Sequence, residues 1–175
     1  YDGSAEEEAY YQEFQREENG VYDIPRITAG YNPTGLDLYF ECTVITSIGV
    51  FNHFVHPDEL FYEESKDKTW HMMKEGLQEF LKQIDSRYGW LTAVTASESL
   101  PYFDSYFNLD YRVLRKPDEL EIHCWNYTHE ASFLLRSTKE VASSKDCHVQ
   151  KIGDEMYFVK ITGPEAHIYW KGSSL

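Results

Sequence analysis

The chain has 175 residues, 42% of them apolar and 16% aromatic, enough to bury a core as one domain or as two small halves packed together. Its formal net charge of −14 argues against binding along a nucleic-acid backbone, since phosphate contact needs clustered Lys and Arg. A negative field instead favours basic partners, of which Arg-rich peptides are the commonest. Three cysteines, Cys42, Cys124 and Cys147, contain no Cys-x-x-Cys pair and cannot all be paired, which reads as buried thiols in a reducing, cytoplasmic setting. No apolar run approaches the roughly 18 residues needed to span a bilayer. The start, Tyr1-Asp-Gly-Ser, reads as that of a fragment excised from a longer protein, with any targeting signal cut away.

In chain order, Ser4 followed by Glu7 is a capping-box pattern for a short acidic helix to about Glu18, stopped by Asn19-Gly20. Residues 1–20 carry seven carboxylates against the single Arg16, a local charge of −6 that leaves −8 for the rest. Residues 21–37, with Pro25, Gly30, Pro33 and Gly35, read as a linker. Leu38–Ser47 and Val50–His56, rich in β-branched and aromatic residues, predict a hairpin turned near Gly49. Trp70, Met73, Leu77, Phe80, Leu81 and Ile84 recur at helical spacing and predict an amphipathic helix over 67–85 with Trp70, Met73, Leu77, Phe80 and Ile84 facing inward.

From residue 90 onward the pattern is short strands: 90–95, an aromatic loop at 100–107, then 111–114, 120–127 and 131–135. A last group comprises 147–152, a Gly153-Asp154 turn, 156–161, a Gly163-Pro164 turn and 167–170. Many short strands split by turns predict a barrel or sandwich, and the fold class is mainly β with helices, an α+β chain.

Tyr111-Arg112, followed by a Pro117-Asp118 turn and a strand ending in Asn126-Tyr127-Thr128-His129, resembles the centre of a Tudor domain. There a "Tyr-Arg-Ala" strand precedes one ending in "Asp-Tyr-Gly-Asn". Cys42–Ile48 with Phe51–Val55, the 67–85 helix and Gly89–Ala93 follow the order of the extended Tudor domain, a Tudor barrel inserted into a staphylococcal-nuclease-like barrel. The resemblance covers roughly residues 38–170 and rests mostly on the order of elements. It implies an acidic helix and linker at 1–37, the first part of the outer subdomain with its connecting helix at 38–88, a Tudor-like barrel at 89–140, and the last part of the outer subdomain at 141–175.

In that family the corner forms part of an aromatic cage for methylated arginine or lysine. Carried over, the cage walls are Tyr111, Tyr127 and an aromatic of the preceding loop, Tyr102, Phe103, Tyr106 or Phe107. Each good cation–π contact is worth ~0.5–2 kcal/mol. His129 stands where the family has the Asn that binds the guanidinium, and Cys124 stands where another aromatic is common, so recognition of dimethylarginine is expected to be weak or absent. The same aromatics read equally well as barrel core.

The resemblance implies a non-enzymatic interaction module of a larger scaffold, binding an Arg-rich segment of an Argonaute/Piwi-type partner in RNA silencing (the piRNA pathway), in germ granules or at the nuclear periphery. The alternative is a dead cage, with the domain binding an unmodified peptide or dimerising. His123, Cys124, His129, Cys147 and His148 carry metal-capable atoms, but neighbouring strand residues point to opposite faces, so His123 and Cys124 should not share one site. The loop carboxylates Asp58, Glu59, Glu63, Glu64 and Asp67 read as a solvated face. Phosphodiester hydrolysis needs metal-binding carboxylates with Arg clamps, and no such grouping stands out. No cofactor, no metal and no enzymatic activity are expected.

Overall fold

In a computed structural model, which describes residues 14–24 and 26–172, the chain divides into two compact units, Tyr1–Thr92 and Ala93–Leu175. The helix expected from Ser4 lies largely outside the described residues. Its last residues instead form β1 (Gln15–Arg16), paired antiparallel with β2 (Tyr22–Asp23).

The remainder of the first unit is organised by a cap. The Asp37 N–H donates to the Thr34 hydroxyl at 3.3 Å and the Thr34 N–H donates to the Asp37 carboxylate at 2.6 Å. This reciprocal box starts α1 (Gly35–Ser47) where the sequence predicts a strand. The β-branched run Thr43-Val-Ile-Thr is carried within this helix, where Thr43 and Thr46 donate their hydroxyls to the carbonyls of Tyr39 and Cys42 at 2.8 and 2.7 Å. The expected hairpin is thus replaced by a strand–helix–strand unit: β3 (Thr28–Ala29) and β4 (His53–Phe54) pair in parallel, with α1 between them in sequence. Two 3₁₀ turns (Pro57–Phe61 and Glu63–Ser65) lead to α2 (Trp70–Arg87), capped by the Thr69 hydroxyl. Met73, Phe80 and Ile84 of α2 are buried, and Phe80 and Ile84 form a core with Ile45, flanked by Leu38, Phe51, Leu77 and Trp90. Trp70 is half exposed, contrary to the inward position expected, because it sits at the first turn of the helix; its ring meets that of Tyr31 in a T-shaped contact with centroids 5.6 Å apart.

In the second unit Thr95 and Glu98 make the same reciprocal box, so the segment read as an aromatic loop is α3 (Ala96–Asn108), which accommodates Pro101 in its second turn. Residues 90–95, read as a strand, are not strand. Seven antiparallel strands follow: β5 (Asp110–Arg115), β6 (Glu119–Trp125), β7 (Ala131–Arg136), β8 (Val141–Lys145), β9 (Cys147–Gly153), β10 (Met156–Ile161) and β11 (Glu165–Trp170). They form two sheets, ordered β5-β6-β11-β8 and β7-β10-β9.

Period-two alternation decides which faces meet. Leu120, Ile122 and Cys124 of β6 and Ala166, Ile168 and Trp170 of β11 turn to one side. They share a core with Leu135, Cys147, Tyr157, Val159 and Ile161 of the other sheet. The arrangement is an open two-sheet sandwich. Among the described residues no barrel closes, and the barrels implied by the resemblance are replaced by this sandwich; the broad α+β class holds.

Candidate functional site

The same alternation that buries Leu120, Ile122 and Cys124 sends Glu119, Glu121 and His123 to the outer face of the four-stranded sheet. Antiparallel register then sets Glu121 opposite His167, Glu119 opposite Tyr169, and His123 opposite Glu165. One ligand-capable atom from each of Glu119, Glu121 and His167 lies within 4.8 Å of the others. The His167 Nδ1 is 2.7 Å from Glu119 Oε1, and the His123 ring lies between Glu121 Oε2 (3.4 Å) and Glu165 Oε1 (3.7 Å). Lys116, on the turn before β6, donates its ammonium to Glu119 at 3.3 Å and to Glu121 at closer range. That ammonium holds the Glu121 carboxyl down at about 2, and Glu121 in turn raises Lys116. For a sheet's outer surface the two carboxylates are well covered, with side chains 15% and 12% exposed. Trp125 extends the face at its far end, and His167 and Tyr169 stack nearly parallel.

A second polar cluster lies in the first unit. Glu41 of α1 is fully buried and its Oε1 contacts the Thr28 hydroxyl, which lies 2.8 Å from His53 Nδ1. The opposite ring nitrogen of His53 is 2.7 Å from the Gly30 carbonyl, so it must carry a proton. The Thr28 hydroxyl, which donates to Glu41 Oε1, lies between the carboxyl and the imidazole. Burial is the main reason the Glu41 carboxyl is pushed up to about 7, and Oε2 has no partner among the described residues. Glu41, Thr28, His53 and the Gly30 carbonyl thus form one continuous polar relay inside the first unit. Phe51 and Phe80 pack on the His53 ring.

The residues carried over as cage walls have the following surroundings. Cys124 and Phe103 are buried, and Cys124 belongs to the sandwich core, against which Tyr127 packs half-buried. Tyr111 stands edge-on to Phe133 at 5.0 Å, Tyr102 edge-on to His129 at 4.6 Å, and Tyr106 edge-on to Phe107 at 5.4 Å. Among the described residues, the buried His129 Nε2 has no hydrogen-bond partner. Cys124 and His123 point to opposite faces, as the pleat requires. The residues that do converge, Glu119, Glu121 and His167, escaped the sequence reading. The alternating Glu119-x-Glu121-x-His123 carried a signal, while His167 needed the β6–β11 register.

Fold and site define a mixed helix-and-strand protein whose strand-rich unit carries a metal-capable carboxylate–imidazole face. The chain belongs to the family described as "Uncharacterised protein conserved in bacteria (DUF2194)", whose model matches residues 1–158. No curated protein and no solved structure matches it. Membership of a bacterial family overturns the extended Tudor resemblance, and with it the methylarginine-reading, RNA-silencing, Piwi-partner and germ-granule readings. The physical reason is visible in the elements: the order strand, helix, strands was matched, but its first "strand" is α1 and its aromatic loop is α3. No helix among the described residues is long and apolar enough to cross a membrane.

Proposed function

We propose that the sandwich is a non-catalytic binding module that holds a divalent cation on its outer sheet face through Glu119, Glu121 and His167. The observation that carries this reading is the convergence of two carboxylates and one imidazole within 4.8 Å on two hydrogen-bonded strands. Ligand distances of about 2.0–2.2 Å place donors roughly 3–4.4 Å apart around an ion, so small side-chain movements suffice. One nitrogen and two oxygen donors suit a first-row ion such as Zn²⁺ or Mn²⁺ better than Ca²⁺, which takes six to eight oxygens. Lys116 supplies a resident positive charge that the ion would displace, and the chain's net charge of −14 favours cations generally. The non-catalytic reading is supported by the partners of the imidazoles: His123 and His167 face carboxylates rather than a hydroxyl or thiol nucleophile. Burial also pushes the Cys124 and Cys147 thiols up, which makes their thiolates scarce.

The test is titration with Zn²⁺ by calorimetry, and with Co²⁺ followed by its visible absorption, which reports imidazole coordination. Glu121→Gln and His167→Ala should each weaken binding at least tenfold, and Lys116→Met should tighten it by removing the competing ammonium. Wild-type affinity retained in both ligand variants would refute the site.

A further inference from the structure

At the end of the sandwich next to this face, a cavity of about 450 Å³ is lined by Arg115, Lys116, Arg136 and Lys139, with Glu119 and Glu155 on its wall. The chain has only 16 Lys and Arg against 30 Asp and Glu, so four cations around one cavity run against its composition. They are not equivalent. Lys116 is held by Glu119 and Glu121. Lys139 donates to the Pro117 carbonyl at 2.7 Å and lies 5.9 Å from the centre of the Trp170 ring. Arg115 and Arg136 have no acceptor among the described residues. They come from different sheets, Arg115 ending β5 and Arg136 ending β7, so the sandwich itself brings two unengaged guanidiniums to one opening. The planar fork of a guanidinium matches a tetrahedral oxyanion in a bidentate way, which an ammonium cannot do.

We propose that this cavity is a binding site for a tetrahedral oxyanion, a phosphate or sulfate group, held chiefly by Arg115 and Arg136 with Lys139 at its side. Glu155 is exposed to solvent, which screens its charge, whereas Glu119 is already neutralised by Lys116 and faces His167. Lys116 links this site to its neighbour. An ion seated on Glu119, Glu121 and His167 displaces the Lys116 ammonium, whose free swing includes the cavity it already lines. Cation and oxyanion then bind with positive coupling, each raising the affinity of the other by the same factor. This coupling, though not the anion site itself, rests on the proposed cation function.

The experiment is calorimetric titration of the whole chain with sodium sulfate at constant ionic strength, without metal and then with saturating Zn²⁺. Sulfate binds in the absence of metal. The double variant Arg115→Gln/Arg136→Gln, whose positions are exposed strand ends, keeps its circular dichroism spectrum and loses at least tenfold in sulfate affinity. Zinc raises sulfate affinity severalfold in the wild type but not in Lys116→Met. Equal sulfate binding by wild type and double variant, or none by either, overturns the proposal. Sulfate binding that Arg115 and Arg136 control, but that zinc never influences, leaves the anion site standing and counts against the cation reading alone. Phosphate, titrated without metal, reports which oxyanion the opening prefers.

Discussion

Glu41 departs furthest from what its residue type suggests. A carboxylate in the stretch Glu-Cys-Thr-Val-Ile reads as an outward-facing position, because carboxylates are almost never fully buried unless paired. Its burial follows from α1 packing Glu41 and Ile45, one turn apart, towards β3 and β4, and that geometry is invisible until the segment is known to be a helix. Burial raises its folded pKa to about 7, with Asp37 adding repulsion and the Thr28 hydrogen bond opposing. The unfolded chain titrates near the ordinary 4.5, so between these values the folded state binds more protons than the unfolded one. Stability from this group is complete below pH 4.5, is lost as pH rises towards 7, and is flat beyond. The upper bound is roughly 3.5 kcal/mol, from about 1.4 kcal/mol per pKa unit over the rise from 4.5 to about 7. Glu41→Gln retains the shape, and its amide oxygen can still accept from the Thr28 hydroxyl. Denaturation of wild type and variant at several pH values should therefore show a falling difference across this window, with His53 common to both. A difference that rises with pH would overturn the raised Glu41 pKa. Glu119, Glu121 and His123 were more legible: alternation alone puts them on one strand face. His167 was not, since a register between strands forty residues apart is set by the sheet and by no local pattern.

The three helices among the described residues show when a local pattern suffices. α2 was readable because its apolar residues fall at helical spacing with polar residues between them. α1 was not: Leu36, Tyr39 and Phe40 are exposed, so its apolar residues run all round the helix, and the β-branched Thr43–Thr46 read as strand. The signal that could have found it is Thr34 with Asp37, the capping box, and Thr95 with Glu98 is the same signal for α3, masked there by Pro101. Within α2, Gly76 is the exception to helix preference. A Cβ there would meet the Tyr31 carbonyl oxygen at 2.7 Å and the Asn32 side chain. Alanine normally stabilises a helix interior by about 1 kcal/mol over glycine. Here Gly76→Ala should destabilise instead, because the obstacle is backbone and cannot swing aside. Thermal denaturation giving a lower Tm for the variant is the expected result; a higher Tm would mean that the Tyr31–Asn32 segment yields freely.

At the scale of the chain, the seven strands of the second unit bury eleven residues in a single core drawn from both sheets, and every strand finds its partners within residues 110–170. The first unit has a separate core around Ile45, Phe80 and Ile84. Each unit therefore owns the contacts that hold it, although domains of this size bury a modest fraction of their surface and are marginal alone. A fragment of residues 93–175 should fold by itself, unfold in one cooperative transition, and bind Zn²⁺ with the affinity of the whole chain, since Lys116, Glu119, Glu121 and His167 all lie within it. The pH-dependent stability assigned to Glu41 should be absent from this fragment, because Thr28, Glu41 and His53 belong to the other unit. Urea titrations of the fragment and of the full chain, at pH 5 and pH 7.5, separate these statements. A fragment with dispersed amide resonances and no Glu41-type pH slope supports two independent cores; a fragment that is unfolded in buffer makes the sandwich dependent on residues before Ala93. Its cation site would then be a property of the whole chain, and the separation of relay and metal face into two autonomous units would be wrong.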